Sequence, residues 1–290
     1  MSSTLQEVLA SGTRSFSFEF FPPKTDAGEQ HLWDALDELE GLNPTFVSVT
    51  YGSGGSTRDR TIGVIKRISQ ETLIMPVGHL TCVGASEAEL LSVVDQYAQA
   101  GVVNILALRG DPPGGPAAEW TAVPGGLTHA VELVSLVRQA GDFCVGVAAF
   151  PDPHPASGSA DVDASVLLAK QQAGASFAIT QFFFTASRYH ELVERSAAIG
   201  VTIPIIPGIM PVTNLDQIRR FAALSGTQIP PQIVQQFDGV DKESVPKIGI
   251  ELASELSAQL LAEGAPGLHF YTLNRSTATR QIYANLGLPR

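Results

Sequence analysis

Polar residues recur at the ends of otherwise apolar runs in this chain, and their types are those of acid–base and ligand-holding chemistry. Glu19 lies in SFSFEFF, Thr50-Tyr51-Gly52 lead from TFVSVTY into GSGGSTRDR, His79 lies in GHLTC, and Arg109-Gly110-Asp111 follow VVNILAL. Further along come His154 in FPDPHP, Gln181 in ITQFFF and Arg275 in HFYTLNR. Glu19 stands between Phe18 and Phe20; a carboxylate so embedded loses hydration, which favours its protonated form and suits a general acid. A carboxylate paired with a neighbouring Arg or Lys in a core fits the same position equally well. Asp111 sits in a turn stopped by Pro112-Pro113. Glycine at 110 would let the backbone approach a flat ligand, although a plain Asp-Pro turn has the same composition. His79 is placed either to touch a cofactor ring or to be a satisfied polar residue. GSGGSTRDR has the glycines of a phosphate loop without its GxxxxGK[ST] spacing, and Phe182-Phe183-Phe184 reads as core packing.

These residues need elements to position them. Runs rich in Val, Ile, Phe and Thr fall at 15–21, 45–51, 73–81, 102–110, 143–150, 177–184, 203–209 and 268–274. Amphipathic stretches lie between them, among them EQHLWDALDELEGL, EAELLSVVDQYAQAG, AVELVSLVRQAG, DASVLLAKQQAGA, YHELVERSAAIG and LDQIRRFAALSG, several closing on a glycine suited to a helix C′ position. Strands apolar on both faces, alternating with helices, predict a parallel sheet covered by helices, and eight such strands close into a (β/α)8 TIM barrel. The rival is an open doubly wound sheet, but no GxGxxG follows the first strand. IPPQIVQQFDG and a long helical segment at about 241–263 predict an insertion between the seventh and eighth strands. The expectation is one catalytic barrel over 1–290. Active sites in such barrels lie at the C-terminal strand ends, where seven of the eight runs carry the polar residues named above.

Composition narrows the partners. With 18 basic against 29 acidic residues the net charge is −11, so the basic surface that nucleic acids and anionic membranes require is missing. Only Cys82 and Cys144 occur, far apart, which argues against a disulfide framework or a zinc site. MSSTLQEVLASGTR has no basic start followed by an apolar run, and no segment reaches 18 apolar residues. The expectation is a cytoplasmic protein without a metal.

Taken together, FEFFPPK, VSVTYGSGGSTRDRT, HLTC, LRGDPP, PDPHP, ITQFFF, PGIMPVTN and HFYTLNR, in this order, resemble the methylenetetrahydrofolate reductases, over residues 15 to 287. The resemblance implies a barrel that holds FAD at its C-terminal face and reduces 5,10-methylenetetrahydrofolate to 5-methyltetrahydrofolate with NADH or NADPH, supplying methyl groups for methionine. It implies Glu19 as the acid that protonates N10 of the folate, and Asp111 as the carboxylate between flavin and pterin. It further implies a flavin set of Thr50, Tyr51, Ser53, His79, Arg109, Gly110, Asp111, His129, Ala130, Ala148, Phe150, His154, Asp163 and Lys170, with Arg109 and Lys170 on the pyrophosphate. Gln181, Gln217, Phe221 and Arg275 resemble residues that hold folate or the nicotinamide nucleotide. The chain departs from the family at His129 and Phe150, where tyrosine is frequent. Segment 160–170 keeps Asp163 and Lys170 but lacks the other basic residues some members carry. A C-terminal regulatory domain, present in some relatives, is not expected after Arg290. Two alternatives use the same fold: direct hydride transfer to folate without flavin, and a silent folate-binding subunit, against which the joint presence of Glu19, Asp111 and Gln181 argues. Oligomeric state, a homo-oligomer included, and the choice of NADH or NADPH are not fixed by the sequence.

Overall fold

The structure, a computed structural model, describes residues 4–23, 25–51 and 58–288. Nine parallel strands form one nearly closed barrel: β1 (Ser15–Phe20), β2 (Phe46–Val49), β3 (Pro76–Thr81), β4 (Asn104–Leu108), β5 (Cys144–Ala149), β6 (Phe177–Thr180), β7 (Ile205–Ile206), β8 (Gly208–Ile209) and β9 (Gly267–Tyr271). Neighbours follow the chain from β1 to β7, and β9 returns beside β1, with Ser17 opposite His269 and Glu19 opposite Tyr271. That order is a barrel's and excludes the doubly wound sheet. The seventh run is broken by Pro207. Its first half pairs with β6 through Ala178 and Ile205, its second with β9 through Gly208 and His269. Proline has no N–H to give to a ladder, but its carbonyl accepts from His269 N at 2.9 Å, so the break still carries one bond of the seam.

Helices α2 (Asp26–Glu40), α3 (Arg58–Glu71), α4 (Glu87–Gln99), α5 (Ala130–Ala140), α6 (Ala160–Gln172) and α7 (Ala186–Ala198) cross between successive strands. Their apolar stripes meet the outward side chains of the barrel, for example Leu36, Ile65, Val94, Val134 and Leu167 against Phe18, Val47, Leu80, Ile105 and Val145 in one continuous core. After α8 (Leu215–Ser225), the expected insertion consists of α9 (Pro231–Gln235) and α10 (Val245–Ala262), before α11 (Thr277–Leu286) completes the circuit. The insertion has a small core of its own in which Phe182, Val212, Ile218, Phe237 and Val245 are buried.

The sequence reading passed over one short helix, α1 (Leu5–Ala10), which closes the N-terminal mouth of the barrel. Its start is written in Thr4-x-x-Glu7: the Thr4 hydroxyl accepts from Glu7 N while the Glu7 carboxylate accepts from Thr4 N. Leu5 is fully buried with Phe46, Val77, Leu106, Cys144, Phe177 and Ile206 from the lower ends of the strands, and its N–H donates to Asn104 Oδ1 at 2.9 Å. Among the described residues no helix is long and apolar enough to cross a membrane.

One glycine fixes how the insertion lies on the barrel. A Cβ on Gly249 of α10 would stand 1.9 Å from the Val212 carbonyl oxygen in the segment after β8. Gly249→Ala should therefore destabilise the protein, because overpacking against backbone costs about 1–3 kcal/mol while alanine's helix propensity returns only about 1 kcal/mol. A denaturant midpoint equal to or above that of the wild type would contradict this packing.

Candidate active site

Strand alternation explains what reaches the barrel interior. In β1, Phe18 and Phe20 point outward into the helix-covered core, so Ser17 and Glu19 point inward. Glu19 is buried, as its sequence surroundings predict, but its neighbours are not the flanking phenylalanines. Three polar side chains converge on Glu19 Oε2: His269 Nε2 at 3.3 Å, His79 Nε2 at 3.4 Å and Ser48 Oγ at 3.5 Å. His269 Nδ1 lies 2.8 Å from Ser17 Oγ. A carboxylate only accepts, so an ionised Glu19 requires the His269 proton on Nε2 and makes Ser17 the donor to Nδ1. The ring is steadied by Phe46, stacked at 5.7 Å, and Tyr271, edge-on at 5.4 Å.

His79 is close to Glu19 but makes no hydrogen bond at Nε2; a contact of 3.4 Å without alignment is a weak one. Burial pushes this imidazole down to about 4, against the attraction of Glu19 and with a small further push from His269. It is therefore neutral at physiological pH. Its backbone carbonyl accepts from the buried Tyr97 hydroxyl at 2.8 Å, which ties the strand to α4.

A second cluster gathers after β4 and β5. Gly110 has φ +77, and a Cβ there would meet Val83 Cγ1 at 2.7 Å, so the glycine is required by the turn and by its packing on the neighbouring β3 loop. The turn leaves Asp111 exposed and Arg109 half-buried. Arg109 Nε makes a 3.4 Å contact with the Gly110 carbonyl, and its buried Nη2 has no partner. From α6, Asp163 accepts from His154 N at 2.8 Å, and the buried Lys170 donates to the Ala148 carbonyl at 3.0 Å. Phe150 packs edge-to-face on His154 at 4.7 Å, and Lys170 Nζ lies 5.8 Å from its ring. Burial pulls Lys170 down to about 8, with Asp163 opposing and Arg109 adding to the shift. His154 is lowered first by burial and then by Arg109, while Asp163 and Asp111 pull the other way. Five of the residues expected to hold a flavin thus act on one another electrostatically. The cluster is short of hydrogen-bond acceptors: the buried ammonium has one carbonyl and a buried guanidinium nitrogen has none.

The other expected residues lie around the same rim. Thr50 follows β2, donating its N–H to the Phe20 carbonyl, and Tyr51 is buried beside it; Ser53 lies outside the described residues. His129 is the exposed residue preceding α5, where its N–H donates to Glu132, and Ala130 is buried as the first residue of the helix. Gln181 follows β6, its Oε1 accepting from Phe182 N at 3.0 Å. Gln217 is exposed and Phe221 half-buried on α8. Arg275 is exposed after Leu273 and Asn274, which hold left-handed φ of 53 and 57. Asn274 secures that loop by exchanging two 2.8 Å hydrogen bonds with the backbone of Phe21. His269, Ser17 and Ser48 were missed; the signal available was the inward phase they share with Glu19 and His79. An apolar cleft beside the mouth, lined by Phe184, Met210, Val212, Ile233 and Leu252, holds none of the site residues. Both cysteines are free and buried, and burial raises Cys82 to about 12 and Cys144 to about 11, so neither is a ready thiolate.

The family model for methylenetetrahydrofolate reductase matches residues 4–287. The chain belongs to this family of oxidoreductases. It is 40% identical over 291 residues to the 5,10-methylenetetrahydrofolate reductase of Escherichia coli (strain K12), covering 99% of this chain and 95% of that protein. The enzyme of the same name from Pectobacterium carotovorum subsp. carotovorum is also 40% identical, over 281 residues, with 96% and 91% covered. "Methylenetetrahydrofolate reductase (NADH) 1" of Arabidopsis thaliana is 35% identical over 297 residues, but this chain spans 50% of its length. A solved structure described as an uncharacterized Clostridium thermocellum protein that binds two copies of 5-methyl-5,6,7,8-tetrahydrofolic acid superposes with TM-score 0.71 at 15% identity, covering 98% of each chain. At that identity it shares the fold.

The neutral state of His79 has a consequence for stability. Its folded value of about 4 lies below the ordinary 6.5, so below pH 6.5 the unfolded chain binds a proton that the fold excludes. Stability from this source is complete above that pH and is lost as pH falls towards 4. His79→Gln should flatten the decline between pH 7 and pH 5 in denaturant midpoints; an unchanged slope would place the burden elsewhere.

Proposed function

We propose that this protein reduces 5,10-methylenetetrahydrofolate to 5-methyltetrahydrofolate with NADH or NADPH as electron donor and FAD as bound cofactor. The observation that carries the reading is the buried Glu19, with Oε2 bonded by His269 and Ser48 and approached by His79, in a chain of the methylenetetrahydrofolate reductase family. Among the described residues no hydrogen bond reaches Oε1, which leaves that oxygen to bear the transferable proton. In this reading Glu19 Oε1 gives its proton to N10 of the folate as the bond from N10 to the methylene carbon opens. The cation left at N5 would meet the negative charge of Asp111, whose stabilising effect would grow as bound reactants displace water from this exposed turn.

The second cluster fits a diphosphate on chemical grounds: a buried lysine with a single carbonyl acceptor and an arginine with an unpartnered guanidinium nitrogen leave donors that an anion would satisfy. Arg109 and Lys170 would hold it, with His154 and Asp163 ordering the loop beside them. Thr50, Tyr51, Ser53, His79, Gly110, Asp111, His129, Ala130, Ala148 and Phe150 would complete the flavin site, and Gln181, Gln217, Phe221 and Arg275 the site for folate and nicotinamide. Bound FAD would supply a two-electron relay from the nicotinamide to the folate. The absorption spectrum of the purified protein tests the reading: a yellow protein with flavin bands supports it, and a colourless protein that reduces the folate without added FAD replaces it by direct hydride transfer.

Two substitutions probe the two clusters separately. Glu19→Gln should keep flavin and its reduction by NADH but slow the folate half-reaction at least 10²- to 10⁴-fold, the range of general acid catalysis, roughly; stopped-flow rates near the wild type would remove Glu19 from this role. Because Lys170 sits at about 8, FAD affinity should fall as pH rises through that value and the ammonium loses its charge. Lys170→Met should bind FAD more weakly and without that pH dependence, as read by fluorescence titration at pH 7 and pH 9.

A further inference from the structure

Trp120 lies in the long connection between β4 and α5, outside every motif that marked the site. Its ring is half-buried and packs against the main core, and the Arg109 guanidinium carbon lies 5.2 Å from its centroid. The connection is folded on both sides of it. Gly115 N donates to the Pro112 carbonyl and Ala118 N to the Gly115 carbonyl; beyond the tryptophan, Gly126 N donates to the Val123 carbonyl and Glu87 N to the Gly125 carbonyl. A bridge between Ser86 and Gly126 fixes the far end to the start of α4. The indole is therefore a built surface.

Arg109 makes no ion pair among the described residues. Among the described residues its side chain has one hydrogen bond, the 3.4 Å contact to the adjacent carbonyl, and its buried Nη2 is unpartnered. A long side chain with so few polar ties would ordinarily sample many rotamers, and an aromatic face is what restrains it. We propose that Trp120 is the positioning residue of the anion site. Its ring face holds the half-buried Arg109 guanidinium in place, so that the part of the group left open at the rim stays turned toward the diphosphate of a dinucleotide flavin. The proposal rests on the flavin reading above, and it adds a residue that acts through Arg109 and need not touch the ligand.

The test is FAD affinity of the apoprotein by fluorescence titration, with thermal unfolding as a check on folding. Trp120→Leu should weaken binding about 3- to 30-fold, the range of one cation–π contact, while Trp120→Phe, which keeps a ring face, should recover most of the loss. In an Arg109→Met background Trp120→Leu should add little, because the two residues act as a unit. A merely structural role would weaken binding in both backgrounds. Wild-type affinity in Trp120→Leu overturns the proposal, as does a Trp120→Phe variant as weak as Trp120→Leu, since the indole N–H would then be the group that matters. A wild-type protein that binds no FAD overturns the flavin reading itself; binding that is indifferent to Trp120 overturns this inference alone.

Discussion

The run from Ile205 to Ile209 has to pair with β6 on one side and with β9 on the other, and Pro207 divides that duty between two short segments. The bond that spans the division is donated by the backbone of His269. The same residue sends its ring inward to Glu19 and Ser17. Closing the barrel and placing the acid are thus one constraint. Strand β9 cannot slip by a residue without exchanging His269 for an outward-facing neighbour, and Glu19 would then lose its shortest contact. The registers of β1 against β2 and β9 place Ser48 and Tyr271 beside the carboxylate on either side.

Desolvation acts in both clusters, with opposite results. Around Glu19 it keeps His79 neutral, so that imidazole is a dipolar neighbour of the carboxylate and not a counter-charge. Around Lys170 it works against cations that remain charged at neutral pH and have few partners. A protein of net charge −11 repels anions at long range; the electric field at this rim is set by the nearby residues, because exposed charges more than about 10 Å away are largely screened at ordinary salt. Binding of the diphosphate proposed above would therefore depend on the local arrangement, whatever the sign of the whole surface.

Much of this could be read from the sequence because apolar runs and amphipathic stretches alternate along the chain, and that alternation requires helices around a parallel sheet. The break at Pro207 could not be read, since a uniformly apolar run does not show which partner each half will take. The burial of Glu19 could be read from its apolar run, but its surroundings could not, since the strand's period of two sends its chain neighbours to the other face. His269 lies in LHFYTLN, where the polar residues nearest the mouth attract the eye; only its pairing with Ser17, far away in sequence, gives it meaning. Arg109 and Lys170 were legible through their family motifs, whereas Trp120 sits in a connection of glycine and proline whose turns position it without any periodic signal. The Thr4-x-x-Glu7 pattern was legible and was passed over because the helix it starts has only six residues.

That short helix has a further effect. Leu5 and the apolar side chains packed with it fill the floor of the barrel, so among the described residues the interior below Glu19 is closed at this end. In the function proposed above, the proton that Glu19 gives up would be restored from the opposite end, the one by which the reactants would come and go, so refilling the acid and releasing the product would share one path.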